Sequence, residues 1–243
     1  MIEKFYYFLL IFGRIFSFFF IAIPFSYEFI PIRVKIGLSI ILSILLYTII
    51  PLPIKISSIS NFISLFILQI IIGIILGFIV NLVFYSIEFA SYFIDYMAGM
   101  GIVTTYGLSN ESVPIIGNFL TIIAILVLFI TDSHHILILG LKKSFFSIPI
   151  SFNIPNEFIT TPLYLYKNLF NIGLILAFPI VLPIFMLEIY QSIIARIMPD
   201  LNIFIISLPM RILCFFFFLL PFLSVFPILI IKLINNYIKG IIL

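Results

Sequence analysis

The segment from about residue 62 to 97 limits what this chain can fold into more than any other stretch. It is a run of Ile, Leu, Phe and Val interrupted by a stripe of small and polar residues. The stripe is Gln69, Gly73, Gly77, Asn81, Tyr85, Glu88, Tyr92, Asp95 and Gly99. Its steps are three or four residues, so the spacing predicts one face of a long helix. At 1.5 Å per residue, roughly 36 residues reach about 54 Å, well beyond a hydrocarbon core of about 30 Å. Such a helix must bend, leave the bilayer, or belong to an assembly that is not a simple set of spans. Gly73 and Gly77 form a GxxxG pair, where two missing side chains let another backbone come close. Carboxylates such as Glu88 and Asp95 are costly in so apolar a helix unless they face protein or water. The stripe is therefore expected to be a helix-packing face made by Gln69, Gly73, Gly77, Asn81, Glu88 and Asp95.

The passage that follows, GMGIVTTYGLSNESVPIIG (Gly99 to Gly117), is the longest weakly hydrophobic stretch of the chain. It is rich in Gly, Thr and Ser. Gly99, Gly101 and Gly117 suit hinge positions, because glycine adopts turn conformations closed to other residues.

Composition then fixes the class. The sequence is 64% hydrophobic and 9% charged, against about 25% charged in a soluble domain. Too few polar groups exist to cover a globular surface, so the reading is an all-α integral membrane protein. About six apolar helical segments are expected, several of them kinked or broken. They cover about residues 5–25, 36–50, 62–97, 115–141, 165–190 and 203–234. The first contains Arg14, read as an arginine that snorkels or pairs within a bundle. It is too long for a signal h-region and is read as an uncleaved segment. The second is stopped by Pro51 to Pro53 and is short for a full span. A polar connection is expected over roughly 150–162. Segments five and six carry Pro179, Pro183, Pro209, Pro221 and Pro227, tolerated where neighbours satisfy the freed carbonyls. Lys4, Lys55, Lys142, Lys143, Lys167, Lys232 and Lys239 fall on one side of six simple spans, and Arg33, Lys35 and Arg196 on the other. The positive-inside rule then places both termini in the cytoplasm.

Catalytic chemistry has little to stand on. The chain has no GxxxxGK[ST], HExxH or GxSxG, so no nucleotide engine, zinc protease site or nucleophile elbow is expected. No cofactor is expected either. His134 and His135 are adjacent and point about 100° apart on a helix, which makes them poor joint metal ligands. The lone Cys214 lies in an apolar run and is read as a small packing residue. The net charge of +3 is spread along the chain without a basic run, so nucleic acid is not an expected partner.

Several passages, in order, resemble the FliR family of bacterial type III export-apparatus proteins. They are FGRIFSFFFIAIPF (Phe12 to Phe25), IPIRVKIGLS (Ile30 to Ser39), GMGIVTTYGLSNESVPIIGNFL (Gly99 to Leu120), SHHILILGLKKSFFSIP (Ser133 to Pro149), LAFPIVLPIFMLEI (Leu176 to Ile189) and ARIMPDLNIF (Ala195 to Phe204). The resemblance implies one export-gate membrane domain over residues 1–243, built of helical hairpins stacked in a superhelical assembly. It implies FliP-like, FliQ-like and FlhB-like partner subunits in the bacterial inner membrane, at the flagellar basal body, and exported unfolded proteins as cargo. It also implies a plug loop at about 104–117, carried by Tyr106, Gly107, Leu108, Ser109, Asn110, Glu111, Ser112, Val113 and Pro114. The competing expectation is an ion- or solute-coupled secondary transporter using Glu88 and Asp95.

Overall fold

Helix breakers set the order of elements in the computed structural model, which describes residues 2–26, 30–50, 58–100, 115–150, 156–198 and 203–242. Eight helices occur among them: α1 (Ile2–Ile21), α2 (Ile23–Ser26), α3 (Ile32–Tyr47), α4 (Ile59–Ala98), α5 (Ile115–Ile130), α6 (Ser133–Ser147), α7 (Asn156–Ile197) and α8 (Ile203–Ile242). The protein is an all-α membrane protein. Four helical stretches are long and apolar enough to cross a bilayer: Lys4–Ile21, Ile59–Ala98, Leu165–Ile197 and Ile205–Leu233. The pair α5 and α6 forms a fifth, broken candidate.

Most boundaries shift by several residues from the sequence expectation, segment one breaks into α1 and α2, and three further features stand out. Segment four is two helices, because Asp132 takes a left-handed φ of 54° and becomes the N-cap residue of α6. Aspartate tolerates that conformation better than most residues, and one such residue ends an α-helix. The expected polar connection before segment five is shorter, since α7 already starts at Asn156, directly after Pro155. Segment three is one unbroken helix of 40 residues, so at 1.5 Å per residue it runs about 60 Å.

The chain forms two compact units, each drawn from separated stretches. The first comprises residues 1–83, 132–167 and 234–243. Its centre is α1, whose Leu10, Ile11, Ile15, Phe18 and Phe19 are buried at helical spacing. The first turns of α1 lie beside the end of α3, where Phe5, Phe8, Ile44 and Tyr47 line one groove. Lys35, near the start of α3, lies over the ring of Phe20, near the end of α1. The two helices are therefore antiparallel neighbours. On α3 the buried residues are Ser39, Ser43 and Leu46. The small serines let the helices approach, and each hydroxyl donates to the carbonyl four residues back.

The second unit comprises residues 84–131 and 168–233. Its core is a set of short-period stripes. Ile87, Ala90, Ile94 and Ala98 come from α4, Leu120, Ala124 and Leu128 from α5, Ala177, Ile180 and Ile184 from α7, and Phe215, Phe222 and Phe226 from α8. Alanines and Gly173 let large rings in. Phe89 stands edge-on to Phe170 with centroids 5.1 Å apart, and a Cβ at Gly173 would meet the Phe89 ring at 2.5 Å.

Candidate functional site

The stripe on α4 divides into two halves with different surroundings. Its first half packs on α1 of the same chain. Gln69 is fully buried, and its Oε1 accepts from Arg14 Nε at 2.7 Å. A Cβ on Gly73 would overlap Ser17 Oγ and the Arg14 carbonyl, and one on Gly77 would meet Ile21 Cβ at 2.9 Å. The close approach that the glycine pair permits is thus occupied by α1. Asn81 repairs the break between α1 and α2. Pro24 has no N–H to donate, which disturbs the end of α1. Asn81 Nδ2 donates to the freed Ile21 carbonyl at 2.9 Å, and its Oδ1 accepts from Ile23 N at 2.7 Å.

The second half diverges. Tyr85 is 39% exposed and Tyr92 47% exposed, whereas Asp95 is buried and Glu88 is half-buried. The reason is helical phase. Each four-residue step overshoots a full turn by about 40°, so the four steps from Gln69 to Tyr85 rotate the stripe by about 160°. The three-residue steps to Glu88 and Asp95 bring it partly back. One stripe in the sequence is therefore two faces in the helix.

The end of α4 is closed by a glycine cap. Gly99 has φ 78°. Gly99 N donates to the Tyr96 carbonyl at 3.2 Å, and Met100 N donates to the Asp95 carbonyl at 3.0 Å. These two bonds are the Schellman pattern, which needs a left-handed residue at the position Gly99 holds. The Asp95 carboxylate faces the backbone N–H groups of Ile116 and Gly117 at the start of α5, without reaching good hydrogen-bond geometry to a described group. A carboxylate is favoured there by the exposed amides and the positive end of the helix dipole. Met100 and Ile115 flank the Gly-rich passage in sequence, so the Asp95 carboxylate lies near the helix ends on both sides of it. Gly117 lies in the first turn of α5. Gly101 and the expected plug residues Tyr106, Gly107, Leu108, Ser109, Asn110, Glu111, Ser112, Val113 and Pro114 lie outside the described residues.

The sequence singled out Arg14 without its partners and passed over an ion pair altogether. Arg14 is fully buried. Its Nη1 donates to the Ser144 carbonyl at 2.9 Å and its Nη2 to the Ile148 carbonyl at 3.0 Å. The guanidinium also stacks 4.1 Å from the centre of the Phe145 ring. One arginine therefore joins α1, Gln69 of α4 and the open C-terminal end of α6, where cations are favoured. The ion pair joins Arg211 Nη1 of α8 and Glu188 Oε1 of α7, 2.9 Å apart. Each is a charge well inside a candidate span, and that isolation was the available signal. Glu188→Gln is expected to lower stability in detergent unfolding by about 1 kcal/mol, the scale of polar contacts between membrane helices. The double variant with Arg211→Gln should lose less than the sum of the two single losses. Additive losses would show that the pair contributes nothing as a pair.

Asp132, His134 and His135 are the described residues placed to share a metal ion, with ligand atoms all within 4.8 Å of one another. The imidazole centroids lie 4.2 Å apart, closer than the expected 100° divergence suggests, because side-chain torsions swing the rings together. They occupy the exposed first turn of α6, where the helix dipole opposes a cation.

A family model described as "Bacterial export proteins, family 1" matches residues 5–237. The flagellar biosynthetic protein FliR of Bacillus subtilis (strain 168) is 30% identical over 145 residues, which is 58% of this chain and 56% of that protein. The protein of the same description from Aquifex aeolicus (strain VF5) is 27% identical over 119 residues, 47% of this chain and 45% of its own length. That of Pectobacterium carotovorum subsp. carotovorum is 30% identical over 129 residues, 52% of this chain and 49% of its own. The chain spans about half the length of these relatives in each match.

Proposed function

The chain belongs to the bacterial export proteins of family 1, and from that premise we propose that it is a non-enzymatic subunit of a type III, flagellar-type protein export gate in the bacterial inner membrane. In this reading it forms part of the channel and carries its plug, the loop at about 104–117. Unfolded flagellar proteins are the cargo. FliP-like, FliQ-like and FlhB-like subunits are the partners, and helical hairpins stack with them in a superhelical assembly.

The observation that carries the reading is the construction at the base of the loop. A segment that must move between a closed and an open position needs fixed ends, because a loose anchor would let closure fail in every direction. The glycine cap at Gly99 and the Asp95 carboxylate against the start of α5 supply such an anchor. The polar, Gly-rich composition between them suits a segment that is packed when closed and wetted when open. Nothing in this construction calls for bond-making chemistry.

Deleting Gly107 to Ser112 is expected to leave the assembled complex leaky, with raised ion permeability in cells or proteoliposomes. Unchanged permeability in a fully assembled complex would remove the plug assignment. The alternative, a coupled transporter using Glu88 and Asp95, is less well supported. Asp95 faces the backbone at the start of α5, which suits an anchoring role, and half-buried Glu88 stands about two helical turns away from it. Neutralising both residues separates the readings. A coupled transporter loses uptake while assembling normally, whereas an anchor role gives poor assembly.

A further inference from the structure

The start of α6 gathers every imidazole of the chain. The sequence holds two histidines, and they stand side by side at His134 and His135, just after Asp132. One ligand atom from each of these three side chains lies within 4.8 Å of the other two. Adjacent residues on a helix diverge by about 100°, yet the two imidazole centroids are 4.2 Å apart with the ring planes at 33°. His135 Nδ1 and Asp132 Oδ1 stand 3.9 Å apart, too far for a hydrogen bond. Ligands bound at 2.0–2.1 Å to a tetrahedral zinc ion lie about 3.3 Å from one another, so closing on an ion takes shifts of about 1.5 Å at most. Asp132 and His135 are largely exposed, and rotation of their side chains can supply such shifts. Asp132 is the N-cap residue of α6, a position from which aspartate usually accepts a hydrogen bond from the first turn. Its side chain makes no such bond, so the carboxylate is not committed to the backbone. The positive end of a helix dipole amounts to about half an elementary charge, and the full negative charge of Asp132 outweighs it.

We propose that Asp132, His134 and His135 form a binding site for a divalent transition-metal ion of the zinc class, with solvent completing the coordination. The donor set selects that class. Two imidazole nitrogens and one carboxylate oxygen suit zinc, whereas magnesium and calcium take oxygen ligands. The ion ties the residue that begins α6 to the first turn of that helix, and so steadies the turn. This inference stands on the three side chains alone and is independent of the gate reading.

The full-length chain, purified without a polyhistidine tag and held in nanodiscs, is titrated with zinc chloride by isothermal calorimetry, with empty nanodiscs as the background. One saturable site per chain is expected, and a large excess of magnesium chloride should leave it unchanged. With two histidines in the whole chain, no other imidazole can confuse the count. His134→Gln and His135→Gln should each weaken zinc binding about tenfold or more, since loss of even a supporting group around a metal costs that much. Asp132→Asn should weaken it as well, and asparagine also tolerates the left-handed backbone at that position. His135 is exposed, so His135→Gln keeps the test intact if the half-buried His134 proves necessary for folding, which circular dichroism would report. Absence of saturable binding above the empty discs would overturn the proposal. Zinc binding undiminished in His135→Gln would overturn it as well. Displacement of zinc by magnesium would mark a site made of oxygen ligands elsewhere in the chain, with the same consequence.

Discussion

Replacing Arg14 with methionine should destabilise the first unit by about 3 kcal/mol or more, since hydrogen bonds to a charged group are worth about 1.5–3 kcal/mol and buried orphan acceptors cost about 1–3 kcal/mol each. Methionine fills much of the same volume, so the loss reports the polar contacts. What is left behind is the Ile148 carbonyl and Gln69 Oε1, both of which Arg14 satisfies. The Ser144 carbonyl loses one of two donors, since it also accepts from Ile148 N at 2.9 Å, whereas the Ile148 carbonyl lies past the end of α6, where no further helical turn supplies N–H donors. Arg14→Lys should recover little. One ammonium on a flexible stem cannot reproduce three donors fanned across a plane, nor the stacking on Phe145. Reversible unfolding in mixed micelles measures both variants. A loss under about 1 kcal/mol for Arg14→Met would mean that other groups or water take over the carbonyls, and the clamp would be unimportant.

A second large effect is expected at Gly73, where alanine should cost about 1–3 kcal/mol, the usual range for overpacking a close contact. The added methyl would overlap the Arg14 carbonyl and Ser17 Oγ. The first of these is backbone, so α1 and α4 must separate for the methyl to fit. That separation also lengthens the bond from Arg14 to Gln69, so Gly73→Ala and Arg14→Met should be less than additive. Gly37 supplies the control, because a Cβ there meets nothing within 4 Å. Gly37→Ala is expected to raise stability by about 0.5–1 kcal/mol, through the better helix propensity of alanine. If the two alanine variants moved stability the same way, close packing of α1 on α4 would not be the reason for glycine at position 73.

Much of this was legible in the sequence, and the legible part has a common cause. Hydrophobic runs, proline stops and the glycine after Ala98 act locally, through hydrogen bonding and allowed dihedrals within a few residues. The apolar segments and the end of α4 near Gly99 could therefore be read from neighbours in the chain, while the break before Pro24 was missed inside a segment expected to run over about 5–25. The break at Asp132 was equally local. TDS is a helix-start signal, and it was overlooked inside a segment whose hydropathy suggested one continuous span.

The α4 stripe shows where local reading stopped. Its spacing identified the residues that are not lipid-like, but small phase errors accumulate over 40 residues, so one stripe became two faces. Arg14 was recognised as an unusual charge without its partners, because they lie 55, 130 and 134 residues away. Glu188 and Arg211 were not singled out at all, and they pair only across two helices.

The sequence by itself determined that the chain is helical, lives in a membrane and carries a weakly hydrophobic, glycine-bounded passage after its third apolar segment. Hydropathy and backbone chemistry are properties of consecutive residues, and they require no knowledge of neighbours in space. Only the tertiary structure decided which helix fills the Gly73–Gly77 gap, which carbonyls Arg14 satisfies and what Asp95 faces. Those are matters of helical phase and of approach between distant segments. In an apolar chain many side chains are interchangeable in hydrophobicity, so only their positions in space tell them apart.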